Sequence, residues 1–409
     1  MEKYLVRTKY LETLKGLKEM NLIKVMTGVR RCGKSVLMQQ FQDFLRSEGV
    51  KDEQIIAINL EDVKNYDLLD FKALHNYIEQ RLYKNGWTYV FLDEVQMVPE
   101  FQRTINSLRI KDKVDLYVTG SNSSLLSGEL ATLLTGRYMS YHMLPLSFQE
   151  YLEIVSKIPK KDWNKHSLRP HFDEYIIKGS FPQTANMKSE KHITVYLDDV
   201  YSSILRKDIL GREKTVNGPV LESIAKFVFH SVGSEISPTN IANSLKSNKR
   251  EASYNTVEKY LQYLKDCYLI YEIGRYDVKG KQHLKKNSKY YVVDIGLRNM
   301  LLANQQSDLG HVLENIVYLE LLRRGHKISV GKIDDKEIDF VCQTDDGVEY
   351  YQVTATMLDA STRERELDPL RRVKDNHPKF VITLDDYSQG NYDGIRVINA
   401  IDFLLGDKD

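Results

Sequence analysis

The sequence is poor in cysteine and contains no long apolar run. Its three cysteines, Cys32, Cys267 and Cys342, are too far apart for a disulfide framework or for the paired spacing of a zinc site. No apolar stretch approaches the about 20 residues that a membrane-spanning helix requires. The residues after Met1 do not resemble a secretory signal. We therefore expect a cytoplasmic protein that has no membrane partner.

The net charge of +1 conceals an uneven distribution of charge along the chain. The 409 residues exceed what one hydrophobic core supports, so two to four domains are expected. Residues 211–300 carry 15 basic and 9 acidic side chains, whereas residues 301–409 carry 13 and 21. The middle segment is therefore the one most suited to a polyanion such as nucleic acid, although a basic run is often only a solvated surface.

A glycine-rich run near the amino end matches the pattern G-x-x-x-x-G-K-S. It follows an apolar stretch, residues 22–26, and precedes a helical pattern, and this strand–loop–helix context is typical of a phosphate-binding loop. Its backbone N–H groups would surround phosphates at the positive end of a helix. Lys34 is predicted to reach the β- and γ-phosphates, and Ser35 to ligate Mg²⁺. The loop residues predicted to bind nucleotide are Gly28, Val29, Arg30, Arg31, Cys32, Gly33, Lys34, Ser35 and Val36.

An Asp-Glu pair follows the second of three further strand candidates. These candidates are residues 54–60, 88–92 and 115–119, and helical patterns separate them, as in a parallel sheet covered on both faces. Asp93 is predicted to hold Mg²⁺, and Glu94 to polarise the water that attacks the γ-phosphate. The alternative is a strand that ends at an acidic turn.

Polar residues also end the third of these strands, at the position where parallel sheets bind ligands. Thr119 or Asn122 is predicted to hold the γ-phosphate or the attacking water. Arg137 follows Gly136 and is predicted to act as an arginine finger, either in cis or from a neighbouring subunit of a homo-oligomer. The alternative for Arg137 is a surface side chain that pairs with an acid.

The chain resembles a large prokaryotic family of AAA-type ATPases that carry a C-terminal PD-(D/E)XK nuclease-like domain of unknown function. The runs that carry this resemblance are Gly28–Ser35, Asp93–Gln96, Thr119–Asn122, Gly136-Arg137 and Leu144–Glu150. The resemblance covers most of the chain and is strongest over residues 20–150. It implies ATP hydrolysis, with ATP and Mg²⁺ as cofactors. Gly179–Pro182 resembles the family's lid motif, but Ser180 stands where the family usually has glycine.

The middle segment has the order of a winged helix-turn-helix: two helical patterns, then two strand candidates with lysines between them. The first helix is predicted to begin at Ser237. Lys281, Lys285 and Lys286 would meet phosphates, so residues 237–290 are predicted to bind duplex DNA. The alternative is a winged helix that contacts protein. The residues expected on the exposed face of the second helix are Asn255, Thr256, Glu258 and Lys259.

The last segment has the order helix, three strands, helix and strand, which resembles the PD-(D/E)XK nuclease core. Glu314 and Asp339 occupy the positions of its helix and strand acids. Its third motif departs from the family pattern, because Gln352-Val353-Thr354 stands where Glu-x-Lys is expected. Glutamine brings no negative charge for Mg²⁺, and threonine cannot activate water as lysine does. The domain is therefore predicted to be inactive, with Glu314 and Asp339 as a remnant or a weak metal site.

The sequence thus predicts an α/β fold: a P-loop NTPase parallel sheet, a helical lid, a winged helix-turn-helix and a C-terminal α/β nuclease-like domain. The predicted limits are 1–150, 151–215, 216–300 and 301–409. The predicted function is ATP hydrolysis that drives a conformational change, acting on DNA or on a protein–DNA complex. Two alternatives stay open, a DNA-binding regulator or defence component that uses ATP as a slow switch, and an ATP-dependent metal nuclease.

Overall fold

The structure, a computed structural model, describes residues 4–126, 136–247, 250–280, 282–303, 308–386 and 390–406. The chain divides into two units. The first comprises residues 1–143 together with residues 266–268, and the second comprises residues 144–265 and 269–409. Among the described residues, no helix has both the length and the apolar character needed to cross a bilayer.

The first unit is built on a parallel sheet. Its strands are β1 (Ile23–Thr27), β2 (Ile55–Asn59), β3 (Thr88–Asp93), β4 (Val114–Gly120) and β5 (Tyr138–His142). They are arranged in the order β2-β3-β4-β1-β5, and every pairing is parallel. This arrangement confirms the predicted parallel α/β sheet.

Helices pack against the sheet of the first unit, and its inner strands are almost entirely buried. The described helices are α1 (Thr8–Gly16), α2 (Lys34–Ser47), α3 (Phe71–Glu79) and α4 (Phe101–Arg109). Strands β1 and β3 are buried along their whole length, as expected for inner strands of a parallel sheet. Ile23, Val90 and Val118 from the sheet share one apolar cluster with Leu74 of α3 and Ile105 of α4.

The second unit contains most of the helices. Those that lie wholly or mainly in it are α5 (Phe148–Val155), α6 (Lys165–Lys178), α7 (Pro182–Ala185), α8 (Glu190–Ser203), α9 (Gly218–His230), α10 (Pro238–Ser247), α11 (Tyr254–Asp266), α12 (Ile295–Leu301), α13 (Leu309–Arg323), α14 (Ala360–Arg372) and α15 (Ala400–Leu405). A π-helical segment, Ile204–Leu210, continues α8.

Ser180, the departure from the family's lid motif, is used by the fold. Its backbone N–H and its hydroxyl both donate to Asp294 Oδ2, at 2.5 and 2.7 Å. Asp294 also caps α12, because its Oδ1 accepts from the N–H of Leu297 at 2.7 Å. Gly179, with a φ of +77°, leaves room for this carboxylate, since a Cβ there would lie 2.6 Å from its oxygens. The serine hydroxyl therefore adds a bond that glycine cannot make.

The second unit also contains a mixed sheet of nine strands. They are β6 (Glu235–Ile236), β7 (Ile270–Asp277), β8 (Gln282–Val292), β9 (Lys327–Ile333), β10 (Lys336–Thr344), β11 (Gly347–Thr354), β12 (Lys379–Thr383), β13 (Gly390–Tyr392) and β14 (Ile395–Asn399). Their order is β13-β14-β12-β11-β10-β9-β7-β8-β6.

The predicted boundary between residues 300 and 301 falls inside this sheet. Strand β7, from the segment predicted as the winged helix, pairs in parallel with β9, from the segment predicted as nuclease-like. The β7–β8 hairpin is therefore part of a larger sheet and does not stand free as a wing. The alternation of polar and apolar residues predicts each hairpin, but it does not show which strand of one hairpin pairs with a strand of the next. The predicted limits within residues 151–409 remain predictions.

Asn315 ties α13 to the end of β8. Its side-chain Nδ2 donates to the backbone oxygen of Val292 at 2.9 Å, and its Oδ1 accepts from the backbone N–H of the same residue at 2.8 Å. The side chain is fully buried. One amide therefore satisfies both backbone groups of a residue in the apolar interior, where unsatisfied groups are costly.

We expect Asn315→Ala to lower the free energy of unfolding by about 2 to 4 kcal/mol, because two buried backbone groups lose their partner. The measurement is chemical denaturation of the full chain, followed through the transition of the second unit. Asn255→Ala, at an exposed position of α11, serves as the control and should change this free energy by less than about 0.5 kcal/mol. Equal effects of the two substitutions would contradict the structural role of Asn315.

Candidate nucleotide-binding site

The glycine-rich loop leaves β1 and enters α2 at the carboxyl edge of the parallel sheet. Gly28 has a φ of +149°, and a Cβ at this position would lie 2.2 Å from the backbone oxygen of Met143. Gly33 has a φ of +109° and precedes α2, which begins at Lys34. Both positions require glycine, because a side chain would meet backbone at the first and would be strained at the second. The loop therefore presents its backbone to the start of a helix, as a phosphate site requires.

Lys34 is buried in the loop, with only 4% of its surface exposed. Its Nζ donates to the backbone oxygens of Gly28 at 2.9 Å and Val29 at 3.1 Å. It lies 3.7 Å from Glu94 Oε1. The ammonium is thus held mainly by neutral carbonyl groups and by one acid at the edge of ion-pair distance.

Asp93 is the last residue of β3 and meets Ser35 at the start of α2. The Ser35 hydroxyl is hydrogen-bonded to the Asp93 carboxylate, and Thr119 Oγ1 donates to Asp93 Oδ1 at 2.5 Å. Burial raises the pKa of Asp93 and outweighs these two hydrogen bonds, which act to lower it. Two oxygen donors, a hydroxyl and a carboxylate, therefore adjoin each other, as Mg²⁺ requires.

Glu94 is held by its backbone and by its carboxylate. Its φ of +55° is unusual for a residue other than glycine, and its N–H donates to Thr119 Oγ1 at 2.9 Å. The carboxylate accepts hydrogen bonds from the Gln96 amide and the Ser121 hydroxyl. Burial acts to raise the pKa of Glu94, but the Lys34 charge and these hydrogen bonds outweigh burial and lower it. Glu94 is therefore ionised at neutral pH, as a general base must be.

The contacts of the Thr119 hydroxyl differ from those predicted. The sequence suggests a contact with the nucleotide or with the attacking water, whereas the hydroxyl is occupied by Asp93 and by the backbone of Glu94. Thr119 is therefore a positioning residue for the acid pair. The sequence shows that a polar residue lies at the end of a strand. It does not show the rotamer or the hydrogen-bond partners of that residue, because these depend on the neighbouring strand.

Asn122 is buried beyond the end of β4. Its Nδ2 lies 3.7 Å from Cys267 Sγ, within the short stretch 266–268 that belongs to the first unit. Ser123 makes a similar contact, since its hydroxyl donates to Asp266 Oδ1 at 2.8 Å. The predicted role of Asn122 in catalysis remains a prediction.

Arg137 lies at the edge of the sheet opposite to the phosphate loop. It precedes β5, whose first residue, Tyr138, is in register with Ile23 at the start of β1. The loop begins at Gly28, five residues after Ile23 and therefore about 16 Å away at about 3.3 Å per residue. Arg137 Nη1 instead lies 3.4 Å from Asn106 Oδ1. The prediction that Arg137 acts as an arginine finger in cis is therefore wrong for this geometry. Its role in a neighbouring subunit remains a prediction.

The side chains of the other loop residues differ in exposure and in their contacts. Arg30 Nη1 donates to Glu61 Oε1 at 2.8 Å. Arg31 and Ser35 are exposed, and Val36 is partly buried. Cys32 is buried, and burial raises the pKa of its thiol, which therefore stays protonated at neutral pH. Apart from Ser35, whose hydroxyl adjoins Asp93, these residues would contribute backbone N–H groups rather than side chains.

Three residues near the site escaped the sequence analysis: Gln96 and Ser121, which contact Glu94, and His142, which lies near Lys34. Gln96 and Ser121 orient Glu94, and each lies within two residues of a predicted site residue. His142 ends β5, and its Nδ1 is 3.4 Å from Thr27 Oγ1. Burial and the nearby Lys34 charge lower the pKa of His142 to about 4, so its ring is neutral at pH 7. Gln96 could have been found because it lies two residues after Glu94 in the sequence. No feature of the sequence indicated His142.

The residues fit a magnesium–nucleotide complex. The glycine positions open the loop backbone, Lys34 lies within the loop, and Ser35 and Asp93 bring oxygen donors together. Glu94 lies beside them in ionised form. This donor set can neutralise a triphosphate and align a water molecule, which is the chemistry of phosphoryl transfer to water.

We expect Thr119→Val to reduce the rate of ATP hydrolysis about 10- to 100-fold, because Asp93 and Glu94 lose the hydroxyl that positions them. Thr119→Ser keeps a hydroxyl and should retain most of the activity. Thr104→Val removes another buried hydroxyl, which donates to the backbone oxygen of Phe71, and serves as the control. Initial rates at saturating ATP over a series of Mg²⁺ concentrations provide the measurement. A rate for Thr119→Val equal to that of the control would contradict this role.

Comparison with protein families identifies two regions of the chain. A family model described as an AAA domain matches residues 20–152. A second model, described as a domain of unknown function, matches residues 169–308. The first match covers all the residues of the site described above.

Relatives extend the comparison over the whole chain. An uncharacterized protein of Haemophilus influenzae is 38% identical over 400 residues, which are 98% of each chain. The uncharacterized protein MJ1544 of Methanocaldococcus jannaschii is 30% identical over 90% of this chain and 83% of its own. The solved structure of the Walker-type ATPase PABY2304 of Pyrococcus abyssi has a TM-score of 0.50 and 13% identity, over 74% of this chain and 97% of that one. The chain therefore belongs to the same family as the Haemophilus influenzae protein, to which it is similar over nearly its full length, and it carries an AAA-type ATPase domain over residues 20–152.

Proposed function

We propose that the chain hydrolyses ATP at the site formed by Lys34, Ser35, Asp93 and Glu94, and that hydrolysis drives a conformational change acting on DNA or on a protein–DNA complex. The observation that carries the hydrolytic part is the meeting of four functional side chains at the carboxyl edge of the sheet. Lys34 and Ser35 begin α2, and Asp93 and Glu94 lie at the end of β3. The AAA family model over the same residues supports it.

Each residue of the site has a distinct part in the proposed reaction. The loop backbone and Lys34 would bind the phosphates, and Ser35 with Asp93 would hold Mg²⁺. Bound MgATP supplies the γ-phosphoryl group and a cation that neutralises its charge. Glu94 would take a proton from the attacking water, while Gln96 and Ser121 keep its carboxylate oriented. Thr119 links Asp93 to Glu94, so that the metal ligand and the base keep one relative position.

The DNA part of the proposal rests on the second unit. Helices α10 and α11 precede the β7–β8 hairpin, which is the order of a winged helix-turn-helix. Ser237 caps α10, since its hydroxyl accepts from the N–H of Asn240 at 3.2 Å. Asn255 and Lys259 lie on the exposed face of α11. Residues 211–300 have the basic excess that duplex DNA attracts.

The competing role for this module is protein contact. The pairing of β7 with β9 and the ion pair between Lys279 and Asp334 at 2.5 Å use part of the hairpin within the chain. Lys281 and the side chains of Lys285 and Lys286 lie outside the described residues. Duplex binding therefore has to be decided by experiment.

We expect Lys34→Ala to abolish ATP hydrolysis and to weaken nucleotide binding, because the phosphates lose the buried ammonium. Glu94→Gln should keep ATP binding and reduce hydrolysis at least 100-fold, because the amide cannot accept the proton of water. Phosphate release and the binding of a fluorescent ATP analogue measure the two quantities. Lys64→Ala, at an exposed lysine, is the control. Wild-type turnover in both site variants would refute the assignment.

We expect duplex DNA binding to weaken steeply with salt, and we expect the triple change of Lys281, Lys285 and Lys286 to alanine to reduce the slope by about three, or about one per phosphate contact. Filter binding at a series of salt concentrations provides the slope. The control removes three lysines elsewhere, Lys64, Lys111 and Lys160, which have substantially exposed side chains. Failure of the wild type to bind DNA even at low salt would favour the protein-contact role.

A further inference from the structure

A buried lysine of the second unit lies among three carboxylates. Lys289, on β8, has only 3% of its surface exposed. Its Nζ lies 3.0 Å from Glu314 Oε1, 2.6 Å from Glu337 Oε1 and 3.7 Å from Asp339 Oδ1. Glu314 comes from α13, whereas Glu337 and Asp339 come from β10. The ammonium therefore joins three elements of one unit.

Glu314 and Asp339 are the two acids that the nuclease resemblance places at a metal ion. A divalent cation would need their oxygens to converge on it, with further oxygen ligands from protein or water. The Lys289 ammonium already lies within 4 Å of an oxygen of each acid. Among the described residues, no group of three or more acidic, histidine or cysteine side chains is arranged to hold a metal ion. The residues present therefore do not fit the metal that this fold implies.

The remaining oxygens of the two acids are engaged as well. Glu314 Oε1 also accepts from the Tyr291 hydroxyl at 2.5 Å, and its Oε2 is 3.3 Å from His311 Nδ1. Asp339 Oδ2 accepts from the backbone N–H of Val353 at 2.8 Å. The cluster is thus internally satisfied, as a buried ionic group must be to persist.

The third motif position is closed by a separate interaction. Gln352 Nε2 donates to Glu366 Oε2 at 2.9 Å, and its Oε1 accepts from the N–H of Asp339 at 3.4 Å. A glutamate at this position would place two buried carboxylates against each other. The Thr354 hydroxyl, at the place of the motif lysine, donates to the backbone oxygen of Thr356 at 3.0 Å. Gln352 and Thr354 therefore suit this packing rather than metal chemistry.

The protonation of the cluster agrees with its geometry. Burial acts to lower the pKa of Lys289, but the nearby carboxylates, Glu314 foremost, outweigh burial and raise it. Lys289 is therefore charged at neutral pH. Burial and the neighbouring Glu314 charge raise the pKa of Asp339 well above its ordinary value.

We propose that the Lys289 ammonium takes the place of the metal ion in the nuclease-like domain, so that Glu314, Glu337 and Asp339 bind an internal cation and no divalent one. The cluster then serves to hold β8 against α13 and β10. This inference is independent of ATP hydrolysis, because all its residues lie in the second unit.

The experiment measures Mn²⁺ bound per chain in the nucleotide-free, full-length protein by equilibrium dialysis. The variants are Lys289→Met, Asp339→Asn and the double variant. Lys226→Met is the matched control, since Lys226 is about half exposed and pairs with Glu222 at 2.8 Å on α9. Any Mn²⁺ bound at the phosphate loop contributes equally in every protein, because none of these residues lies in the first unit.

The proposal requires wild type and Asp339→Asn to bind the same amount of Mn²⁺. Lys289→Met should gain one Mn²⁺ per chain, the double variant should lose that gain, and Lys226→Met should show none. A deficit of one Mn²⁺ in Asp339→Asn relative to wild type would overturn the proposal, and so would a folded Lys289→Met with no gain. If Lys289→Met does not fold, the comparison of wild type with Asp339→Asn still decides the question.

Discussion

The carboxyl edge of the parallel sheet is the constraint on which the nucleotide site depends. Strands β1, β3 and β4 are neighbours that run in the same direction, so the residues that follow them meet at one edge. The Thr119 hydroxyl then bonds to the Asp93 carboxylate and to the Glu94 backbone. Asp93 and Glu94, the proposed metal ligand and base, therefore cannot move independently. The positive φ of Glu94 is tolerated because this bond and the Gln96 amide hold the residue from two sides.

Two buried lysines, Lys34 in the first unit and Lys289 in the second, have opposite electrostatic surroundings. Lys34 is bonded to neutral backbone oxygens, and its one acidic neighbour lies at 3.7 Å. Such an ammonium keeps charge available for an anionic ligand. Lys289 is surrounded by Glu314, Glu337 and Asp339, with two of them at 3.0 Å or less. The charge of Lys289 is neutralised by these carboxylates. Burial is similar for Lys34 and Lys289, so the number and the distance of the nearby carboxylates, rather than solvent exposure, distinguish the two side chains.

Much of the first unit could be predicted from its sequence because its signals are local. The glycines, Lys34 and Ser35 lie within eight consecutive residues, and the acid pair directly follows an apolar strand. The positions of Thr119 and Arg137 were harder to predict, because polar residues occur at both ends of the strands in a sheet. Only the register of β5 with β1 shows that Arg137 lies at the edge away from the loop. In the second unit, the hairpin predicted as a wing pairs with β9, since the outer strand of a hairpin can pair with a further strand.

The sequence by itself determined the parallel nucleotide-binding sheet, the phosphate loop and the acid pair, because short-range spacing and strand–helix periodicity encode them. It also showed that Gln352 and Thr354 stand where the nuclease resemblance expects Glu-x-Lys. Only the tertiary structure decided which side chains Glu314 and Asp339 contact. Lys289 is 25 residues from Glu314 and 50 from Asp339 along the chain, and no spacing rule links them. Their meeting depends on the packing of β8, α13 and β10, since an ion pair is set by distance in space and not by separation in sequence.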